Sequence, residues 1–574
     1  MSSAFASRTL NGLKLAGLCL GLATPAVAAA PAPILKAAAI ASPDIYGARA
    51  AREVLTKGGN AVDAAVATAF ALAVTYPEAG NLGGGGFMTL VIDGKPYFLD
   101  YRETAPLAAT RGMYLDAAGK PIADLSYYGA LSAGVPGTVM GLYEAHKRFG
   151  KLPWAVDLAP AIRYARKGFY VTKQLADLTK DSEKPFIGVT NFQAYYAGLT
   201  NGTRLRQPEL AATLKAIADK GPDGFYKGVT ADRIVAQMAK SPTPGIITLA
   251  DLAAYRAKWR DPVVGAWQSD RGQSFQLVTA PPPSSGGIAL LQMLTMKADA
   301  APLFKNVPLN SAQYIHLVAE IEKRVFADRA QYLGDPDFVT VPVAALTASG
   351  YLQRRAATID PVKPTPTASV LPGLDPPAEK PETTHFSIVD RWGNAVSNTY
   401  TLNGWFGSGV VVTGAGFLLN DEMDDFSAKP GAPNMSGVVG GDANAIAPDK
   451  RPLSSMTPTI LMRDGRVVMV LGTPGGSRIF TSVFQVLADV YDFGLPLPDA
   501  LHALRFHHQL LPADTLFAEP YAPFPADLTA QLKARGYVVE NQDFNGDVEA
   551  IQIVGDRPFP AADPRARGVA MTIP

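Results

Sequence analysis

From Ala61 to Val74 the chain is apolar on every helical face, broken only by Asp63 and Thr68. Such a helix has no side to show to water and is expected to be buried all round. Asn60 is a good N-cap for it, with Asp63 in the first turn. After Gly83–Gly86 the period changes. Phe87–Ile92 reads as a strand, Asp93-Gly94 as a turn, and Tyr97–Tyr101 as the return strand. Residues 130–360 read mostly as helices joined by loops, among them Gly137–Arg148, Pro160–Lys167, Leu210–Asp219 and Ser311–Leu333.

Residues 361–382 differ in kind, with prolines at 361, 364, 366, 372, 376, 377 and 381. That density excludes a helix or a central strand and predicts an extended surface segment. Immediately afterwards Thr383–Val389 reads as a strand, Asp390–Asn394 as a turn and Ala395–Leu402 as its return. A second hairpin runs Thr459–Met462, Asp464-Gly465, Arg466–Gly472. Strand pairs among helices predict a layered α+β protein. There is no short-period repeat.

Composition sharpens this picture. The 574 residues are 48% hydrophobic and 18% charged, which supports a large core and excludes a disordered chain. Lys and Arg number 52 against 51 Asp and Glu. Without clustered positive charge no nucleic-acid partner is expected, and no polybasic run marks a membrane surface. Residues 1–28 are a separate object: Arg8 and Lys14, then apolar Leu15–Ala23, then Ala26-Val27-Ala28. This order is that of a secretory signal peptide, too short to span a bilayer. Cys19, the one cysteine, lies inside it and follows Leu18, where a lipid-anchoring signal wants a small residue. An exported protein without a membrane anchor is expected. Downstream there is no thiol, so disulfides, thiolate catalysis and Cys-based metal sites are excluded.

Several chemistries are missing. Gly83–Gly86 is not a P-loop, and neither a G-x-S-x-G elbow nor an H-E-x-x-H motif occurs. Adjacent His507 and His508 cannot share a helix face and read as a packed pair. No metal or cofactor is expected. A hydroxyl nucleophile activated by its own α-amine remains, because a chain-terminal threonine needs no other base. That amine titrates near pH 7.7–8.0. An internal threonine acquires it only when the preceding peptide bond is cut. Thr383, fixed at a strand start behind a proline-rich arm, has the right layout, although an ordinary loop entering a strand has the same one.

The neighbouring residues decide the matter. Thr383-Thr384-His385-Phe386-Ser387-Ile388-Val389-Asp390, Gly393-Asn394-Ala395-Val396, Thr399-Tyr400-Thr401-Leu402-Asn403, Leu418–Phe426, Lys450–Met456 and Gly472–Arg478 resemble the small subunit of the γ-glutamyltransferase family. Gly58–Ala64, Asp100–Glu103, Pro282–Gly287 and Phe326–Arg329 resemble its large subunit. The resemblance runs in one order from about Ala41 to the C-terminus.

It implies a four-layer αββα sandwich of the N-terminal-nucleophile hydrolase type and a self-cleaving precursor. The cut would fall between Glu382 and Thr383, giving a large subunit of residues 29–382 and a small subunit of residues 383–574. Thr383 would be the nucleophile, oriented by Thr401, with Gly475 and Gly476 as oxyanion-hole donors. Arg102, Ser454 and Ser455 would hold the α-carboxylate of a γ-glutamyl group, and Asn403, Glu422 and Asp425 its α-ammonium. The implied substrates are glutathione and related γ-glutamyl compounds, with water, amino acids or peptides as acceptors. Thr384, His385 and Gly83–Gly86 are read as structural.

Two positions depart from the family pattern. Ser436, in a segment (430–441) like the lid loop of many bacterial members, stands where relatives often carry tyrosine. Glu382 stands where glutamine or glycine is common, and its charge is expected to slow self-cleavage or shift its pH dependence. The lidded type favours the periplasm over full secretion. The alternatives are a related acylase taking glutaryl side chains such as those of cephalosporins, and an uncut binding protein. Asp425 speaks against the first, since an acid facing a methylene would be costly. The intact Thr383, Thr401 and Gly475-Gly476 set speaks against the second.

Overall fold

A computed structural model of the protein describes residues 34–240, 243–371, 383–427, 429, 441–542 and 545–574. Residues 1–28, Glu382 and Ser436 lie outside the described residues. The local signals take the expected form. Asn60 accepts from the main-chain N–H groups of Val62 and Asp63, and Asp63 accepts from Asn60 N. The helix so capped, Ala61–Thr75, is buried at every residue. Ser311 caps the helix Ala312–Tyr332 by accepting from Tyr314 N.

The main strands, in chain order, are β1 (Ala38–Ser42), β2 (Gly85–Ile92), β3 (Lys95–Asp100), β4 (Lys258–Arg260), β5 (Val263–Gln268), β6 (Ser274–Thr279), β7 (Thr384–Val389), β8 (Ala395–Thr401), β9 (Thr459–Arg463), β10 (Arg466–Gly472), β11 (Glu549–Val554), β12 (Arg557–Ala562) and β13 (Val569–Ile573). They form two antiparallel sheets. One has the order β13-β1-β7-β8-β2-β3-β4, the other β12-β11-β10-β9-β6-β5.

Successive side chains of a strand face opposite ways, so each sheet has an inner and an outer core. Ala39, Ala41, Val278, Val389, Ile460, Val470 and Ile551 meet between the sheets. Their neighbours Ile40, Ile388 and Val396 pack beneath α1 (Ile45–Thr56), α2 (Ala61–Thr75), α3 (Thr138–Phe149) and α4 (Trp154–Lys167). On the far side Leu277, Leu461, Met469 and Leu471 pack beneath α5 (Gly286–Asp299), α6 (Ala312–Tyr332) and α7 (Arg478–Tyr491). Each large aliphatic side chain shut into these layers contributes roughly 1.5–3 kcal/mol relative to exposure. The arrangement is the expected αββα sandwich.

Two expectations need correction. The sequence places a helix start at Pro160, but α4 begins at Trp154 and contains that proline. The ring removes one helical hydrogen bond, yet Leu158, Ala161 and Ala165 are buried and hold the surrounding turns. The proline-rich segment is also less detached than its composition suggests. Thr365 N donates to Glu320 Oε1 (2.9 Å), and Lys323 Nζ donates to Thr365 O (2.8 Å). Arg324 reaches Thr358 O (2.6 Å) and Arg355 reaches Leu371 O (2.8 Å). Buried charges of α6 thus hold the chain as far as Thr365, and Arg355, on the short helix Ser349–Ala356, holds it at Leu371.

Candidate active site

Thr383 sits at the mouth of β7 and is 5% exposed. It lines a small cavity of about 20 Å³ together with Arg102, Thr401, Asn403, Glu422, Asp425, Ser454, Ser455, Gly476, Met456 and Ile479. That is room for roughly one water molecule. Nine of the ten residues expected at the site are therefore brought together from distant stretches of chain. Gly475 is not among the lining residues but precedes Gly476 in the same turn, where φ is +138° and +54°. A side chain is strained at both angles. Met456 and Ile479 were not anticipated. Met456 ends one quoted motif and Ile479 follows another, and an apolar side chain at the edge of a polar motif gives no sign of which way it faces.

Thr401 ends β8, and its Oγ1 accepts from Asn403 N (2.8 Å). Asn403 takes φ +77° and donates through its amide to Asp421 O (3.1 Å). The glycine run works by close approach, as expected. A side chain on Gly84 would land 2.0 Å from the Thr401 carbonyl oxygen, and one on Gly86 2.5 Å from Tyr400. Bare backbone there lets β2 press against β8. His385 packs between the sheets beside Gly472, bonding Thr399 and Ser387 (2.8 and 3.0 Å). Burial pushes its ring down to about 3, so it is neutral and structural.

The charged residues pair differently from the sequence expectation. Arg102 is 1% exposed and forms ion pairs with both Glu422 and Asp425, with Glu103 3.6 Å away. It also donates to the main-chain oxygens of Pro452 and Leu453. The cation expected to hold a carboxylate and the acids expected to hold an ammonium pair with one another. Burial pushes Glu422 up despite the guanidinium, and it pushes Glu103 up to about 7. Asp100 holds this corner together. It accepts from Arg102 N (3.0 Å) and pairs with Arg260 and Arg451. Ser454 O accepts from Ser285 N (2.7 Å) and Ser285 Oγ (2.8 Å), which joins the Pro282–Gly287 turn to the serine pair.

Among the described residues one group has ligand-type atoms within 4.8 Å of one another: Asp63, His146 and Asp157. None of them lines the cavity. Asp63 is engaged by the N–H groups of Asn60, Lys151 and Leu152, and His146 Nε2 lies 2.8 Å from Leu152 O. Asp157 is fully buried, and burial with Asp63 beside it pushes its carboxyl up to about 9. A raised folded pKa means the native state binds the extra proton. The stability it gives is complete below pH 3.8 and is lost as pH rises towards about 9. Asp157→Asn, a permanent neutral form, is expected to melt a few degrees above the parent at pH 8. That gap should shrink by pH 5 in thermal denaturation.

The layered sheets with a threonine at a strand mouth define the class: the fold is that of an N-terminal-nucleophile hydrolase. It is shared with cephalosporin acylase from Bacillus halodurans at TM-score 0.79 and 26% identity, over 96% of this chain and 98% of that one. The family model for gamma-glutamyltranspeptidase matches residues 47–573. A glutathione hydrolase proenzyme of Pseudomonas aeruginosa is 60% identical, over 97% of this chain and 98% of the relative. The solved gamma-glutamyltranspeptidase from Pseudomonas nitroreducens complexed with L-DON is 59% identical, with TM-score 0.56, over 58% of this chain and 98% of that one. The protein belongs to the gamma-glutamyltranspeptidase family.

Proposed function

We propose that the protein is an exported, self-processing γ-glutamyltransferase that acts on glutathione and related γ-glutamyl amides, with Thr383 as nucleophile. The observation that carries this reading is the gathering of Thr383, Thr401, Gly476 and both charged sets around one cavity. In maturation Thr383 Oγ attacks the Glu382 carbonyl carbon and the peptide nitrogen leaves as the α-amine of Thr383. Water then hydrolyses the ester. The products are residues 29–382 and 383–574, and a periplasmic heterodimer follows. Sheet pairing supports their staying together, since β1–β4 of the first piece share a sheet with β7, β8 and β13 of the second.

In turnover the free amine takes the hydroxyl proton as Oγ attacks the γ-carbonyl. The main-chain N–H groups of Gly475 and Gly476 stabilise the oxyanion; one such donor is typically worth about 10²–10³ in rate. The amine returns the proton to the departing cysteinylglycine nitrogen. Water or an acceptor amine then takes the γ-glutamyl group from the ester. A zwitterionic donor can replace the internal ion pairs one for one, its carboxylate going to Arg102 and its ammonium to Glu422 and Asp425. A glutaryl group offers no ammonium and would leave both acids against a methylene. A γ-glutamyl anilide is therefore expected to be turned over at least ~100-fold faster than its glutaryl analogue, the cost of an unpaired buried charge. Equal kcat/KM values would move the acylase reading ahead.

A further inference from the structure

Behind the serine pair lies an arginine with no assigned task. Arg329, on α6, is 4% exposed. Its Nη2 donates to Ser455 Oγ (3.0 Å) and its Nε to Ser285 Oγ (2.9 Å). Ser285 passes its own proton on to Ser454 O (2.8 Å). One guanidinium thus fixes the hydroxyl of Ser455 directly and the main chain of Ser454 through Ser285. Ser455 lines the cavity and Arg329 does not.

We propose that Arg329 is a positioning residue for the donor's α-carboxylate, acting through Ser455. A serine oxygen that accepts from a cation has its own O–H to give to an anion on the opposite side. Accepting a charge-assisted bond also polarises that O–H and fixes its rotor. The positive charge stands one hydroxyl behind the carboxylate, where it adds attraction without occupying substrate space. Arg102 grips the carboxylate from the front, and Arg329 sets the angle of the second grip. Lysine cannot reproduce this, because its single point charge cannot hold two serines in a fixed fork.

The inference rests on the γ-glutamyl reading of the site. The test uses two donors on the same preparation: L-γ-glutamyl-p-nitroanilide, and 4-aminobutyryl-p-nitroanilide, which has hydrogen in place of the α-carboxylate. Arg329→Met is expected to lower kcat/KM for the first by ~10–100-fold, mostly through KM, as loss of a charge-assisted hydrogen bond does. The second donor should change less than twofold. Because each comparison is a ratio within one sample, it does not depend on how much of the variant folds. Arg329→Lys should recover only part of the loss. In a double-mutant cycle Ser455→Ala with Arg329→Met should be little worse than Ser455→Ala alone. Equal falls on both donors, or additive effects in the cycle, would overturn the role of Arg329 while the parent enzyme stayed active. A parent enzyme inert towards the γ-glutamyl anilide would instead overturn the reading of the reaction, and this inference with it.

Discussion

Thr383→Ala is expected to yield a single uncut chain with turnover down by roughly 10⁴-fold or more, the scale on which removal of a covalent nucleophile acts. The alanine has no oxygen to attack the Glu382 carbonyl, so the α-amine that would serve as base is never released. Two losses follow from one atom. Thr383→Ser restores the hydroxyl but not the methyl group that restricts its rotor. It should process more slowly than the parent and then regain most of its activity. Thr383 lies ahead of β7 and lines the site cavity. Once processed, Thr383→Ser should therefore melt within about 2 °C of the processed parent at the same protein concentration. Intact mass and N-terminal sequencing check the first outcome; an alanine variant still cut before residue 383 would sink the assignment.

Arg102→Met is the second large effect, and it should strike stability as well as rate. The guanidinium is the shared partner of Glu422 and Asp425 and stands beside Glu103. Breaking a buried pair by deleting one member costs about 3–5 kcal/mol, because the remaining charges stay in place. Without the cation, burial makes Glu422 and Glu103 hold protons more tightly in the fold than in the unfolded chain. Stability is then retained below about pH 4.5 and lost as pH rises, so the variant's deficit should widen between pH 5 and pH 8. Relative to the parent, kcat/KM should fall by ~10³-fold, since the donor's carboxylate loses its fork and its ammonium meets a protonated Glu422. A melting deficit that does not change with pH would show that Arg102 is not the counter-charge of this cluster.

Much of the architecture is legible in the chain because it rests on short-range rules. Asn60 with Asp63, the Asp93-Gly94 and Asp464-Gly465 turns, and the uniform apolarity of Ala61–Val74 each announce an element from within a few residues. Pro160 shows the limit: its local cost is real, but buried Leu158, Ala161 and Ala165 outweigh it, and burial is a property of the whole fold. The site divides in the same way. Thr383, Thr401 and the serine pair are visible as motifs. The closure of Arg102 upon Glu422 and Asp425 is not, because the pairing depends on how chains 320 residues apart in sequence meet. Arg329 was visible only as part of a motif. Its task follows from Ser455, which nothing in the local pattern connects to it.

The interlacing of strands has a consequence for how the protein dies. While the chain is whole, β1 and β7 are covalently joined, and refolding after heating is a first-order event. On the maturation proposed above, cutting the bond before Thr383 makes the same pairing, Ala39 with Val389 and Ala41 with Ser387, a link between two separate molecules. Unfolding then ends in dissociation, and recovery becomes a collision whose rate depends on dilution. The mature enzyme's lifetime at high temperature is accordingly set by how fast the sheets unzip and not by an equilibrium constant. Its apparent melting point should drift with scan rate in a way that the uncut Thr383→Ala chain, carrying nearly the same contacts, does not.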